Sequence, residues 1–136
     1  AGDIPVGEEF DAARANLGSP WRMPTTAEFA ELFAGSIYID ATGTEIPTAT
    51  TDKRVTVNGI VGLYLQSKTN GNRLFFACSG NGNGTSWNNR GSNGNYWSAS
   101  FNSARNARNL NFNSGGVNPQ NNNNRYNGFA VRPVQN

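Results

Sequence analysis

The chain has 136 residues, a formal net charge of +2, no histidine, one cysteine and 36% apolar residues. That length suits one domain, residues 1–136, able to bury a core without disulfides, and the lone Cys78 excludes an internal disulfide or a cysteine metal cluster. Three tryptophans, eight phenylalanines and four tyrosines supply the apolar surface that a disordered chain lacks. No apolar run reaches the length of a membrane span, so no membrane insertion by this domain is expected.

From Glu8 to Leu17, Phe10, Ala13 and Leu17 recur at helical spacing before Gly18, which predicts a short amphipathic helix. Thr25 and Glu28 then have the spacing of a capping box. They open a second helix that carries Phe29, Leu32 and Phe33 on one face and stops near Gly35. Strand signals follow at Ile37–Ile39, Val55–Val57 and Ile60–Leu65. The step Asn58-Gly59 between the last two predicts a tight hairpin. Leu74–Ala77 reads as a further strand, and Ser79–Asn95 as a long loop rich in glycine and asparagine, pinned by Trp87.

The last quarter alternates. Leu110 and Phe112 sit between Asn109, Asn111 and Asn113, and a strand points successive side chains to opposite faces. The apolar pair is expected to face a core, with the three asparagines in a row on the other face. Asn121–Asn124 read as a loop returning to a closing strand of Phe129, Val131 and Val134, and Trp97, Leu110, Phe112 and Phe129 are expected to be buried. Asparagine is common in loops because its side chain mimics backbone turns, but it is disfavoured in strands, so its alternation along one calls for another explanation.

The series Trp21-Arg22-Met23-Pro24-Thr25 with Glu28, Val57-Asn58-Gly59, Leu74-Phe75-Phe76, Gly94-Asn95-Tyr96-Trp97-Ser98 and Gly128-Phe129-Ala130-Val131-Arg132-Pro133-Val134 resembles a variable protein of a diversity-generating retroelement. The resemblance runs from about Glu8 to Val134. It implies an α+β, C-type lectin-like fold, near the formylglycine-generating-enzyme-like and bacterial major-paralogous-domain families: two N-terminal helices, then a twisted, mostly antiparallel sheet with long loops rich in glycine and asparagine. In such systems a reverse transcriptase misincorporates opposite template adenines, and AAC-type asparagine codons are favoured targets. Ser103, Ala104, Arg105 and Gly116 are residues that substitution in such a codon produces. The implied variable region is about 94–134. The implied function is recognition of an external protein or glycan by a display protein on a bacterial surface or phage tail, as a monomer or within a larger assembly. A carbohydrate-binding or adhesin domain of fixed specificity is the alternative.

The ligand-binding set under this reading is Phe101, Asn102, Ser103, Ala104, Arg105, Asn106, Asn109, Asn111, Asn113, Gly116, Asn118, Asn121, Asn122, Asn123, Asn124, Tyr126 and Asn127, expected to form one patch. Tyrosine gives a large contact area at low entropic cost, which singles out Tyr126. Arg105 and Arg108 flank it as possible anchors, although the Arg108 stem can equally lie over the sheet with its head in water. Trp21 and Trp97 read as core, whereas Trp87 is open between core and binding. All nine acids lie at or before Asp52, and nine of the eleven basic residues at or after Lys53. The basic residues are dispersed, unlike a nucleic-acid footprint, and no nucleic-acid partner is expected. Enzymatic function is not expected either. No histidine is present, the C-terminal region offers no acid, and Cys78 reads as a buried hydrophobe. The last 84 residues hold no carboxylate side chain, so no calcium site or other cofactor is expected there.

Overall fold

The computed structural model describes residues 2–136 and contains two short helices and eleven strands, paired antiparallel throughout. Helix α1 spans Ala12–Leu17 and is capped by Asp11, whose carboxylate accepts from the amides of Ala13 and Arg14. The cap shortens the helix expected from Glu8. Phe10 falls before it and is 75% exposed, Leu17 is 54% exposed, and Ala13 alone of the three is buried. Asp11 also accepts from the amides of Gly7 and Met23. Burial alone would raise its pKa, but these amides outweigh that and hold it below the usual carboxylate range.

Strand β1 (Trp21–Arg22) leads into α2 (Thr26–Ala34), where the capping box of Thr25 and Glu28 is complete and Gly35 ends the helix. Glu28 also takes a bidentate grip from Arg22, at 2.7 and 2.8 Å. That hydrogen-bonded pairing, reinforced by Thr25, lowers the Glu28 pKa to about 2 against the penalty of burial.

Strands β2 (Ser36–Tyr38), β3 (Val55–Val57), β4 (Ile60–Ser67) and β5 (Arg73–Ala77) form one sheet. β3 and β2 follow one another along one edge of β4, and β5 takes the other. The turn between β3 and β4 has positive φ at both Asn58 and Gly59, as a type I′ hairpin requires. The polar stretch Ser79–Asn95, after β5, is more ordered than a loop. It holds a small hairpin of β6 (Asn81–Asn83) and β7 (Ser86–Asn88).

A second principal sheet has β9 (Asn106–Asn113) between β8 (Gly94–Phe101) and β10 (Gly116–Asn124). Asn121–Asn124 therefore belong to a strand, not to the expected return loop. The pairing is made by backbone groups that asparagine has like any other residue. A register shift between Asn118 and Asn121 places one extra residue in β10. The expected closing strand is reduced to β11 (Val134–Gln135), paired with β1, and a single parallel bridge from Ala130 to Tyr96.

Helix α2 packs on β8, β9 and β10, and the main core joins Phe29 to Leu63, Leu65, Phe76, Cys78, Tyr96, Leu110 and Phe112. Tyr96 is buried but satisfies its hydroxyl on the carbonyl of Ala77 at 2.8 Å. Gly94 is required by this packing, since a Cβ there would stand 1.9 Å from the Phe112 ring. Trp97 and Phe129, expected in this core, are only half-buried. They lie on each other with ring centroids 4.2 Å apart, and Trp97 packs on a second cluster of Ala13, Met23 and Ala99.

Candidate ligand-binding surface

Cross-strand partners share a face of a sheet, so the register of β8, β9 and β10 sorts the candidate residues. One face carries Asn95, Trp97 and Phe101 from β8, Ala107, Asn109, Asn111 and Asn113 from β9, and Gly116, Asn118, Asn121 and Asn123 from β10. The other carries Tyr96, Leu110, Phe112 and Val117 in the core, then Asn106, Arg108, Asn122 and Asn124. Asn102, Ser103, Ala104 and Arg105 occupy the segment between β8 and β9, and Tyr126 and Asn127 follow β10. The expected single patch is thus divided between two faces of the sheet. Because β10 continues through Asn121–Asn124, consecutive asparagines alternate in direction.

On the first face the amides bond to one another. Asn121 Nδ2 donates to Asn109 Oδ1 at 3.2 Å, Asn109 and Asn111 donate to Asn95 Oδ1 at 3.4 and 2.8 Å, and Asn113 donates to Asn111 at 3.5 Å. Asn123 accepts from Asn127 at 2.9 Å. Asn109 is 0% exposed and Asn95 4%. The expectation that Asn109 stands free beside Asn111 and Asn113 is therefore corrected. Its cross-strand neighbours are Trp97 and Asn121, and in that central position its amide is satisfied by side chains and the Leu110 carbonyl. Asn111 and Asn113 are half-buried, while Asn118 is exposed.

On the second face Asn106 donates to Asn122 at 2.9 Å and Arg108 to the carbonyl of Gln120 at 3.1 Å. Arg108 thus reaches across to β10, with its guanidinium on a backbone carbonyl and not simply in water. Beyond the strand ends, Arg105 and Arg125 are joined by a backbone bond from the Arg125 amide to the Arg105 carbonyl. The Arg125 guanidinium stands 5.3 Å from the centre of the Phe101 ring. Ala104, Arg105, Asn122 and Tyr126 are exposed, Tyr126 at 70%.

Two recesses adjoin the sheet system. One, of about 340 Å³, is lined by Gly82, Gly84, Thr85, Ser86, Trp87, Tyr126 and Gly128. The other, of about 860 Å³, lies among Trp21, Phe29, Leu32, Leu74, Arg132 and Val134, and no residue of β8, β9 or β10 lines it. Trp87, left open by the sequence, is 49% exposed although its indole N–H is tied to the Ser79 carbonyl at 2.7 Å. Asn95 was missed as part of the amide network, and its signal was its place two residues before Trp97 on the same side of β8.

Backbone and side-chain bonds tie distant segments together around this surface. The Pro24 carbonyl accepts from Ala99 of β8 at 2.9 Å, Thr26 donates its amide to Ser100, and Gly128 exchanges two backbone bonds with Gly82. Arg132 donates to the Phe75 carbonyl at 2.9 Å. Cys78 is buried and its thiol is pushed up by that burial, which leaves it a poor nucleophile. Among the described residues, no three His, Cys, Asp or Glu side chains come together as metal ligands, and no helix is long and apolar enough to cross a membrane. No protein-family model, curated protein or solved structure matches the chain.

Proposed function

We propose that this chain is a non-catalytic ligand-binding module of C-type lectin-like fold whose surface between Phe101 and Asn127 is diversified by a retroelement. Its ligand is an external protein or glycan, met by a domain displayed on a bacterial surface or phage tail. The observation that carries the reading is the division of labour between the core face of β8 and β9 and the exposed residues of β10 and the segments flanking these strands. Tyr96, Leu110 and Phe112 are buried in the core, while the exposed Ala104, Arg105, Asn118, Asn122 and Tyr126 leave that core untouched. Side chains placed like this can change with little effect on stability.

The buried amides narrow the set. Asn109 supports the surface from within, and ligand contact falls to the exposed residues. Amides offer donors and acceptors but little apolar area, and tight interfaces draw most of their energy from aromatic and arginine anchors. This asparagine-rich copy is accordingly a weak binder apart from Arg105 and Tyr126.

The test has a genetic and a physical arm. The encoding locus should contain a reverse transcriptase and a near-identical template repeat covering Gly94 to Val134, and a locus without them ends the diversification reading. Exchanging Ala104 and Asn122 together for tyrosine and aspartate should leave the melting temperature nearly unchanged while altering which ligand is bound. Unfolding of that variant would count against a tolerant surface.

A binding domain of fixed specificity is the second reading. It is favoured by the bonded amides of Asn95, Asn109, Asn111, Asn113 and Asn121, which free variation would dismantle.

A further inference from the structure

The recess between the β6–β7 hairpin and Tyr126 has a composition unlike the amide face. Trp87 is paired across the hairpin with Gly82, and a Cβ on Gly82 would stand only 3.0–3.1 Å from the six-membered ring of the indole. The ring therefore rests against the hairpin backbone on one side, and the residue as a whole remains 49% exposed. Its N–H is already bound by the Ser79 carbonyl, so its orientation is set before any ligand arrives. Gly128 reaches the same hairpin through paired backbone bonds to Gly82 at 2.7 and 2.8 Å, and Tyr126, two residues earlier, lines the same recess. The Tyr126 hydroxyl accepts from Asn124 Nδ2 at 3.0 Å. Two exposed aromatic residues thus line one recess together with three glycines.

The chemistry of the lining selects a ligand class. None of the seven lining residues is an aspartate, glutamate, lysine or arginine, so neither an anion nor a cation is favoured by pairing. Aromatic faces suit a ligand with a flat C–H face. Thr85, Ser86 and Tyr126, the hydroxyl-bearing residues of the lining, suit one edged with neutral hydroxyl groups. A volume of about 340 Å³ is at the small end of small-molecule sites. A pyranose ring has these properties together. We infer that Trp87 and Tyr126 form a stacking subsite for a neutral saccharide. Trp87 and its hairpin lie before Gly94, outside the surface proposed to vary, whereas Tyr126 lies within it, so Trp87 is the constant half of the subsite.

The intact chain can be tested by saturation-transfer NMR with four neutral probes: cellotriose, maltotriose, mannotriose and triacetylchitotriose. At least one should bind saturably and protect tryptophan fluorescence from acrylamide quenching. Trp87→Ala and Tyr126→Ala should each weaken that binding about tenfold or more, the scale of losing an interface anchor, whereas Trp87→Phe should retain most of it. If Trp87→Ala fails to fold, the quenching result and the Tyr126→Ala and Trp87→Phe titrations decide. Absence of saturable binding to all four probes overturns the proposal. So does binding indifferent to both aromatic residues, or binding confined to an acidic sugar such as trigalacturonic acid. None of these failures bears on the template-repeat test above, and loss of the template repeat would leave the subsite standing.

Discussion

Asn121 donates its side-chain amide to the side-chain oxygen of Asn109 across the β9–β10 ladder, 3.2 Å apart, and Asn109 is sealed from solvent. Two residues of the same type, facing each other on the same sheet, thereby have different obligations. Removing one partner of a buried polar pair costs roughly 1–3 kcal/mol, so Asn109→Ala is expected to destabilise the domain by that amount in urea denaturation. Asn122→Ala, on an exposed position, should stay within about 0.5 kcal/mol. Equal effects at the two positions would show that the amide network has no hold on the fold.

Phe112 is 0% exposed and packs in the main core beside Tyr96. Truncation to alanine should cost roughly 3–5 kcal/mol. A loss below about 1 kcal/mol would mean that β9 presents its other face to the core.

The capping box at α2 gives a smaller and more local effect. Thr25 accepts from the Glu28 amide through its hydroxyl at 3.2 Å, and Thr25→Ala should lower stability by about 1 kcal/mol. Thr25→Ser, which keeps the hydroxyl, should recover most of it.

Acid should unfold the protein by a route that runs through Asp11 and Glu28. Both carboxyls titrate below their ordinary values in the folded chain, Glu28 at about 2. Each therefore binds a proton more readily when unfolded. The stability they contribute is fully present above the unfolded value, 4.5 for Glu28, and is lost as pH falls toward about 2. Melting temperatures measured from pH 6 down to pH 2 should decline in that window, and Glu28→Gln should flatten the decline. An unchanged slope in that variant would remove Glu28 from the account.

The parts of the fold that were legible in the sequence depend on local backbone chemistry or on simple periodicity. Asn58-Gly59 fixed a turn because few other pairs adopt two positive φ angles, and Thr25 with Glu28 fixed a helix start because their side chains satisfy orphan amides. Leu110 and Phe112 were legible as core because a strand leaves alternate residues no other direction. Asn121–Asn124 were not legible as strand, since nothing in four identical polar side chains marks an ordered ladder, and the pairing is made by backbone groups common to all residues. The burial of Asn109 was hidden for a related reason. Alternation assigns a side of the sheet, but whether that side is covered depends on Trp97 and Asn121, which neighbour it only in space. Spacing alone places Phe10 in a helix, since it does not show that Asp11 takes the cap.

The extra residue that β10 accommodates between Asn118 and Asn121 sets the phase of the four asparagines after it. Asn121 and Asn123 turn to one side and Asn122 and Asn124 to the other, and a strand without that insertion would exchange the two pairs. In this copy the exchange would be chemically silent, because all four positions present the same amide. Once the four positions hold different residues, the same slip would swap what the two sides display. A variant carrying tyrosine at one of them is therefore defined as much by the phase of the strand as by the substitution itself.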